Sequence, residues 1–261
     1  VFRIAIPTHA REKTIAGHTL GVLCDGGIPA DRVTLFVATD DEANAYRRSV
    51  DPALYGALEV THSKPGLAPQ RAAIMARYPV GTRLLQLDDD VRAIEALGRE
   101  GNLELVGDLS ALFTYGFRRA DRLGAYLWGL YPVRNAYYMK RAVRTGLCHI
   151  IGCFFGIRVR HRPMERTILE GKEDYERSLA FFKADGHLCR LEDVCVSQAN
   201  PPGGLDPPGT GGRDFVHGMT EIAYLQERFP GWVHMNPRRA TSDKYPEILL
   251  RETAGDRLPT A

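Results

Sequence analysis

The sequence predicts an α/β protein: a mostly parallel sheet flanked by helices, continued by a mixed set of strands. Two observations carry this reading. Over residues 1–91, short apolar and β-branched runs alternate with helical patterns, a spacing that calls for crossover connections and hence parallel strands. The fourth run, "RLLQLDDD" (83–90), closes on three consecutive carboxylates at a strand end, the edge where open α/β sheets collect their ligands.

In chain order, "FRIAIP" is a strand closed by Pro7, and a helical pattern runs from about Thr14 until "DGG" (25–27) stops it. "RVTLFVATDDE" repeats the unit, with an extended run from Val33 to Ala38, after which Thr39, Asp40 and Asp41 supply an N-cap and an acidic first turn for "EANAYRRS". "LEVTHS" is a third strand, "APQRAAIMARY" a third helix and "RLLQL" a fourth strand. The loops "PTHAREKT", "ATDDE", "HSKPGLAPQR" and "DDD" then open on one edge of the sheet. After Val91 the pattern changes. A helix is expected over 108–122, "GAYLWGLYPVRNAYYM" and "GLCHIIGCFFGIRV" read as aromatic-rich strands, "GKEDYERSLAFFKADG" as a helix from Glu173 to near Gly186, and "HLCRLEDVCVSQ" as another strand. "NPPGGLDPPGTGG" (200–212) holds four prolines and five glycines and must be a long irregular loop. No internal repeat is present, and the chain reads as one domain over 1–261, divided into halves 1–91 and 92–261, the second carrying a flexible loop at 200–213.

With 44% hydrophobic and 25% charged residues, the composition is that of an ordinary globular protein. No run of about 18 apolar residues is present, and the apolar part of "VFRIAIPTHARE" is too short for a signal peptide, so a cytoplasmic location and no membrane partner are expected. The five cysteines are odd in number and scattered, with neither zinc spacing nor a disulfide framework. A net charge of +2 neither demands nor excludes nucleic acid. Four basic clusters, at 117–122, 139–144, 158–162 and 237–240, could each meet phosphate, or could simply be solvated surface.

Three like charges in a row repel one another, and a cation is the missing partner. On an extended segment Asp88 and Asp90 share a side and Asp89 points away. Hard cations such as Mg²⁺ or Mn²⁺ take oxygen ligands, commonly one or two carboxylates with substrate phosphates completing the set. An acidic loop or helix cap is the plainer alternative, and the position at a fourth strand end weighs against it.

This ordered set resembles the nucleotide-sugar glycosyltransferases of the GT-A fold: "IPTHARE", the "ATDD" strand end, "KPGLAPQRA", an apolar strand closing on Asp-x-Asp, and "GKEDYERSL" with its Glu-Asp opening a helix. The likeness covers roughly residues 1–235. More narrowly, "GAYLWGLYPVRNAYYM" and the loop "PPGTGGR" resemble the TET-associated glycosyltransferases of bacteriophages, which are similar in setting to enzymes decorating oxidised pyrimidines in DNA. The resemblance implies a GT-A-like fold, a nucleotide-sugar donor of the UDP-sugar type, a divalent metal (Mn²⁺ or Mg²⁺) and a DNA acceptor bearing 5-hydroxymethylcytosine or another hydroxymethylpyrimidine. The setting would then be the host cytoplasm.

The residue roles follow from that resemblance. Pro7, Thr8 and Arg11 would border the nucleotide, and Asp40 or Asp41 would accept from a base N–H or a ribose hydroxyl, although an N-cap explains one of them equally well. Gly66 permits close backbone approach, and Lys64 and Arg71 would counter the diphosphate. Asp88 would meet the ribose or sugar, with Asp89 and the loop residue Arg213 counted beside it on the donor side. Asp90 would hold the metal, with His217 or His234 as a later ligand and His217 preferred. Asp174, with Glu173 beside it, would take the acceptor proton, while a stabilised helix first turn explains both carboxylates equally. Trp128, Tyr131, Asn135, Tyr137 and Tyr138 form an aromatic patch that is either core or a stacking surface for sugar or an everted base. The same fold acting on a polysaccharide or small glycan, or a non-catalytic nucleotide-sugar binder, fits the same residues. A nucleotidyltransferase fits less well, because "PTHAREKT" lacks the glycines of a phosphate loop.

Overall fold

The computed structural model describes residues 1–64, 66–161, 166–199, 215–237 and 246–252. The first half contains β1 (Arg3–Pro7), α1 (Thr19–Asp25), β2 (Val33–Val37), α2 (Asp40–Ser49), β3 (Ala57–Val60), α3 (Leu67–Arg77) and β4 (Arg83–Leu87). There follow β5 (Val91–Leu97), β6 (Leu103–Leu105), α4 (Leu109–Arg122), β7 (Leu127–Tyr131), β8 (Val143–Arg144), β9 (Phe154–Arg158), α5 (Glu173–Asp185), β10 (Cys189–Gln198), α6 (Phe215–Arg228), β11 (Val233–Met235) and β12 (Ile248–Leu250).

Among the described residues ten strands form one sheet in the order β3-β2-β1-β4-β9-β7-β10-β5-β6, with β8 alongside β10; β11 and β12 make a separate antiparallel pair. β3, β2, β1 and β4 are parallel, as the crossover spacing requires. β9 then runs antiparallel between β4 and β7, and β10 is parallel to β7, so only β5, β8 and β9 oppose the other seven strands. The carboxyl ends of β1, β2, β4, β7 and β10 therefore all open on one edge.

Strand alternation sorts the side chains into two cores. Ile4, Ile6, Leu85 and Leu87 pack with α1, α2 and α4, whereas Ala5, Leu84, Phe155 and Ile157 pack with α3, α5 and α6. The helices thus cover both faces, giving three layers. No helix among the described residues is long and apolar enough to cross a membrane.

The two aromatic stretches are shorter as strands than the sequence predicts. Pro132 lacks an N–H and ends β7, after which the Asn135 side chain accepts from Tyr137 N (3.0 Å) and closes a 3₁₀ turn. Residues 146–153 cross the α5 side of the sheet, from beside Leu188 to the carboxyl edge at Cys153, instead of joining the ladder. Their backbone groups are taken up there: Ile150 N by Ser178 Oγ (2.9 Å), and Cys153 O by Asp88 N (3.0 Å). The expected aromatic patch is also divided. Trp128 is buried against Phe117 and Phe154 and passes so close to Gly116 and Gly156 that a Cβ on either would clash with the indole. It is core. Tyr137 and Tyr138 remain outside, 86% and 58% exposed. The loop expected at 200–213, including Arg213, lies outside the described residues.

Candidate functional site

The three aspartates leave β4 and turn straight into β5, and a buried hydroxyl fixes the turn. Thr19 Oγ1 donates to Asp88 O (2.6 Å) and accepts from Val91 N (3.0 Å). Asp88 and Asp90 do face the same side: the Gln198 amide at the end of β10 reaches both, 3.5 Å from Asp88 Oδ2 and 3.0 Å from Asp90 Oδ1. Asp89 faces away and accepts from Thr8 Oγ1 (2.6 Å), which itself lies 2.6 Å from Tyr46 Oη; that phenol accepts from Arg11 N (3.0 Å). The end of β1 and the carboxylate run are thereby tied together through α2.

Burial, reinforced by Asp90 and Glu173 and opposed by Arg71, holds the Asp88 carboxyl above its ordinary range. Burial also pushes Asp89 up to about 7, with Asp88 and Asp90 adding to the shift against the Thr8 bond and Arg11. Negative charge is crowded here beyond what the neighbouring cations offset.

A second carboxylate pair opens α5, joined to Asp88 through Arg71. Glu173 is bracketed by two buried guanidinium groups: Arg71 bonds it through Nη1, and Arg177 Nη1 lies 2.7 Å from Oε2. Arg71 also reaches Asp88 (2.6 Å) and Gly152 O (2.9 Å), and both arginines lie over the Phe155 ring. Arg71 is 3% exposed and Glu173 4% exposed, so this cluster is internal. Asp174 accepts from Gly152 N (3.2 Å) and Tyr175 N (2.9 Å), and its Oδ2 lies 2.8 Å from His149 Nε2. Burial would raise this carboxyl, but His149, Arg177 and the backbone donors overcome it and leave the group well below the usual carboxylate range.

Asp88 and Asp90, whose carboxylates both lie within reach of the Gln198 amide, supply hard oxygen donors that could hold a Mg²⁺ or Mn²⁺ ion together with ligands from outside the protein. Among the described residues no three His, Cys, Asp or Glu side chains gather into a fuller metal cage.

No protein-family model and no curated protein sequence matches the chain. Among solved structures it is similar to residues 1–349 of TarS from S. aureus in complex with UDP-GlcNAc, at a TM-score of 0.57 and 11% identity, over 86% of this chain and 66% of that one. The fold is GT-A-like. The alignment spans just less than two thirds of that chain's length. Another structure of TarS 1–349 and one in complex with UDP align less closely, each at a TM-score of 0.43 and 15% identity over 75% of this chain and 59% of the other. None of these likenesses extends to the phage family that the sequence resembles.

Several expected residues occupy different settings from those the sequence implied. Arg71 is committed to Asp88 and Glu173 instead of pointing at solvent, and Thr8 is fully buried with its hydroxyl engaged. Gly66, at φ +119°, sits where a side chain would meet Glu170, while Lys64 is exposed. Asp40 and Asp41 are exposed in the first turn of α2, which is capped by Thr39 and Glu42 in a reciprocal box. Pro7 ends β1 and Arg11 is buried close to Asp89. His217 lies 3.4 Å from Glu221 on its own helix and is not gathered with Asp88 and Asp90; His234 contacts Gly231 O (3.0 Å). Sequence reasoning missed Thr19, Tyr46, His149, Arg177 and Gln198. Of these only His149 gave a signal, a polar residue inside the apolar run "LCHIIGCFF".

Proposed function

We propose that the chain is a metal-dependent glycosyltransferase that moves a sugar from a UDP-sugar to a hydroxyl acceptor. The observation that carries this is the convergence of Asp88 and Asp90 on one point at the carboxyl edge of the sheet, where charge is crowded and a neutral amide is the shared contact. UDP-GlcNAc in the similar TarS structure supports the same donor class. A divalent cation held by Asp90 and Asp88 would supply charge neutralisation for the departing nucleoside diphosphate. Arg71 fixes Asp88 and Glu173 relative to each other, so donor-side and acceptor-side carboxylates keep one spacing. Asp174, held by two backbone N–H groups, is the anchor for the acceptor proton.

The leading acceptor is a hydroxymethylated pyrimidine in DNA. Exposed Tyr137 and Tyr138 leave the carboxyl end of β7 on the same edge as the aspartates, with exposed Lys140, Arg141 and Arg144 following them. Aromatic faces beside basic side chains suit an unstacked base and its phosphates. A glycan acceptor would use the same aromatic faces without the cations. Incubating the protein with Mn²⁺, UDP-hexoses and duplexes containing 5-hydroxymethylcytosine or 5-hydroxymethyluracil, with UDP release and product mass as readouts, tests the reading. Transfer to DNA whose acceptor affinity falls steeply with salt is expected. Transfer to glycans alone moves the second acceptor to first place, and UDP binding without any release leaves a donor-binding protein.

A further inference from the structure

We infer that His149 is the group that takes the acceptor proton, with Asp174 orienting it and balancing its charge. This rests on the transferase reading above and deepens it: the accepting atom is a ring nitrogen of His149, where a carboxylate oxygen of Asp174 was expected.

The geometry divides the work between the two residues. Asp174 receives two backbone N–H bonds besides its contact with His149 Nε2 at 2.8 Å, and a carboxylate so well satisfied is a weak base. An ionised acceptor at Nε2 holds the proton on that nitrogen and leaves the Nδ1 lone pair as the basic site. Nδ1 has no hydrogen bond among the described residues, and a fifth of the His149 side chain is exposed. The ring is held flat on Tyr175, 4.0 Å between centroids and 4° between planes, so only its edge is free to work.

The support is rigid. Arg190 Nη1 donates to His149 O (2.9 Å), and Ile150 N donates to Ser178 Oγ, whose hydroxyl donates to Asp174 O (2.7 Å). Both residues of the dyad are thus bolted to the first turn of α5, the arrangement that a reacting group needs to hold its aim. The charged and titratable groups around the dyad are Arg177, Arg71 and Glu173 on one side, Arg190 beneath, and Tyr175 with Lys172 and Glu247 on the other.

In the step proposed, the acceptor O–H proton passes to Nδ1 as the oxygen bonds to the anomeric carbon. The bond from that carbon to the diphosphate oxygen breaks, its electron pair leaves with UDP, and the imidazolium formed faces the Asp174 carboxylate. Asp174→Asn would remove that counter-charge while keeping the shape.

The test measures UDP release from a panel of UDP-hexoses with Mn²⁺ and water as acceptor, across pH, alongside UDP affinity by calorimetry. H149Q, whose amide can still donate to Asp174, is expected to slow release by roughly a hundredfold and to change the shape of the wild-type pH profile, with UDP affinity kept within about twofold. H149N takes its place if the melting curve shows that H149Q is unfolded. Added imidazole is expected to restore at least about tenfold in H149G, a rescue that a purely structural histidine would not allow. H149Q and H149N turning over like wild type, or an H149G enzyme deaf to imidazole, overturns the inference and leaves the transferase reading standing. A wild-type protein that neither binds UDP nor releases it from any donor overturns both.

Discussion

The two carboxylate pairs that Arg71 joins have opposite electrostatic conditions. Glu173 and Asp174 are fully partnered within the protein, by Arg71, Arg177, His149 and backbone N–H groups. Asp88 and Asp90 share a neutral amide, and Arg71, the guanidinium that Asp88 contacts, is divided with Glu173. Burial of a charge is costly unless it is paired. The first pair is therefore closed by cations and backbone donors of the protein itself, and on our proposal the second would take a divalent cation.

Neutralising one member of each pair breaks or sharpens that comparison. Glu173→Gln leaves two buried guanidinium groups short of a counter-charge and is expected to cost about 3–5 kcal/mol in urea unfolding. Asp90→Asn removes a like charge from beside Asp88 and is expected to cost clearly less than Glu173→Gln in the absence of metal. Equal losses in the two variants would mean that the pairs do not differ as described.

Asp174→Asn comes next in size, with turnover falling by roughly a hundredfold and UDP binding near normal. Its effect on stability has a defined sign. The folded-state carboxyl is held below its unfolded value near 3.9, so the group contributes stability that is present above that value and is lost as pH falls below it. The wild-type advantage over Asp174→Asn in thermal melting should therefore shrink as pH is lowered from 5 toward the acid limit; an advantage that grows would contradict the bonding described. The smallest effect is at the α2 cap, where Thr39→Ala should cost about 1 kcal/mol without touching metal-dependent UDP affinity.

The same contrast explains what could be read from the chain. β1 to β4 and their helices were legible because each is coded locally, by alternation, by a cap or by a glycine stop, and Asp88 and Asp90 inherit their shared side from strand geometry. β5 and β6 were missed: "VRAIEAL" fits either period, and β5 is made a strand by pairing with β10 about a hundred residues later. Arg71 was placed toward the diphosphate because its counter-ion Glu173 lies 102 residues away and only the folded sheet brings them together. Gln198 was invisible for the same reason, and the polar break that His149 makes in "LCHIIGCFF" gave no hint of its partner Asp174, 25 residues on. What is local in the code was read; what depends on long-range charge pairing was not.

The central proposal is that Asp88 and Asp90 would hold a divalent cation shared with a nucleotide diphosphate. Titration calorimetry of UDP into the protein, with Mn²⁺ and then with excess chelator, tests it most directly when run on wild type and Asp90→Asn. The account predicts UDP binding to wild type that weakens by tenfold or more, roughly 1.4 kcal/mol, on chelation, and an Asp90→Asn protein indifferent to the metal. UDP binding of equal strength in chelator, or an Asp90→Asn variant that keeps the full response to Mn²⁺, would contradict it.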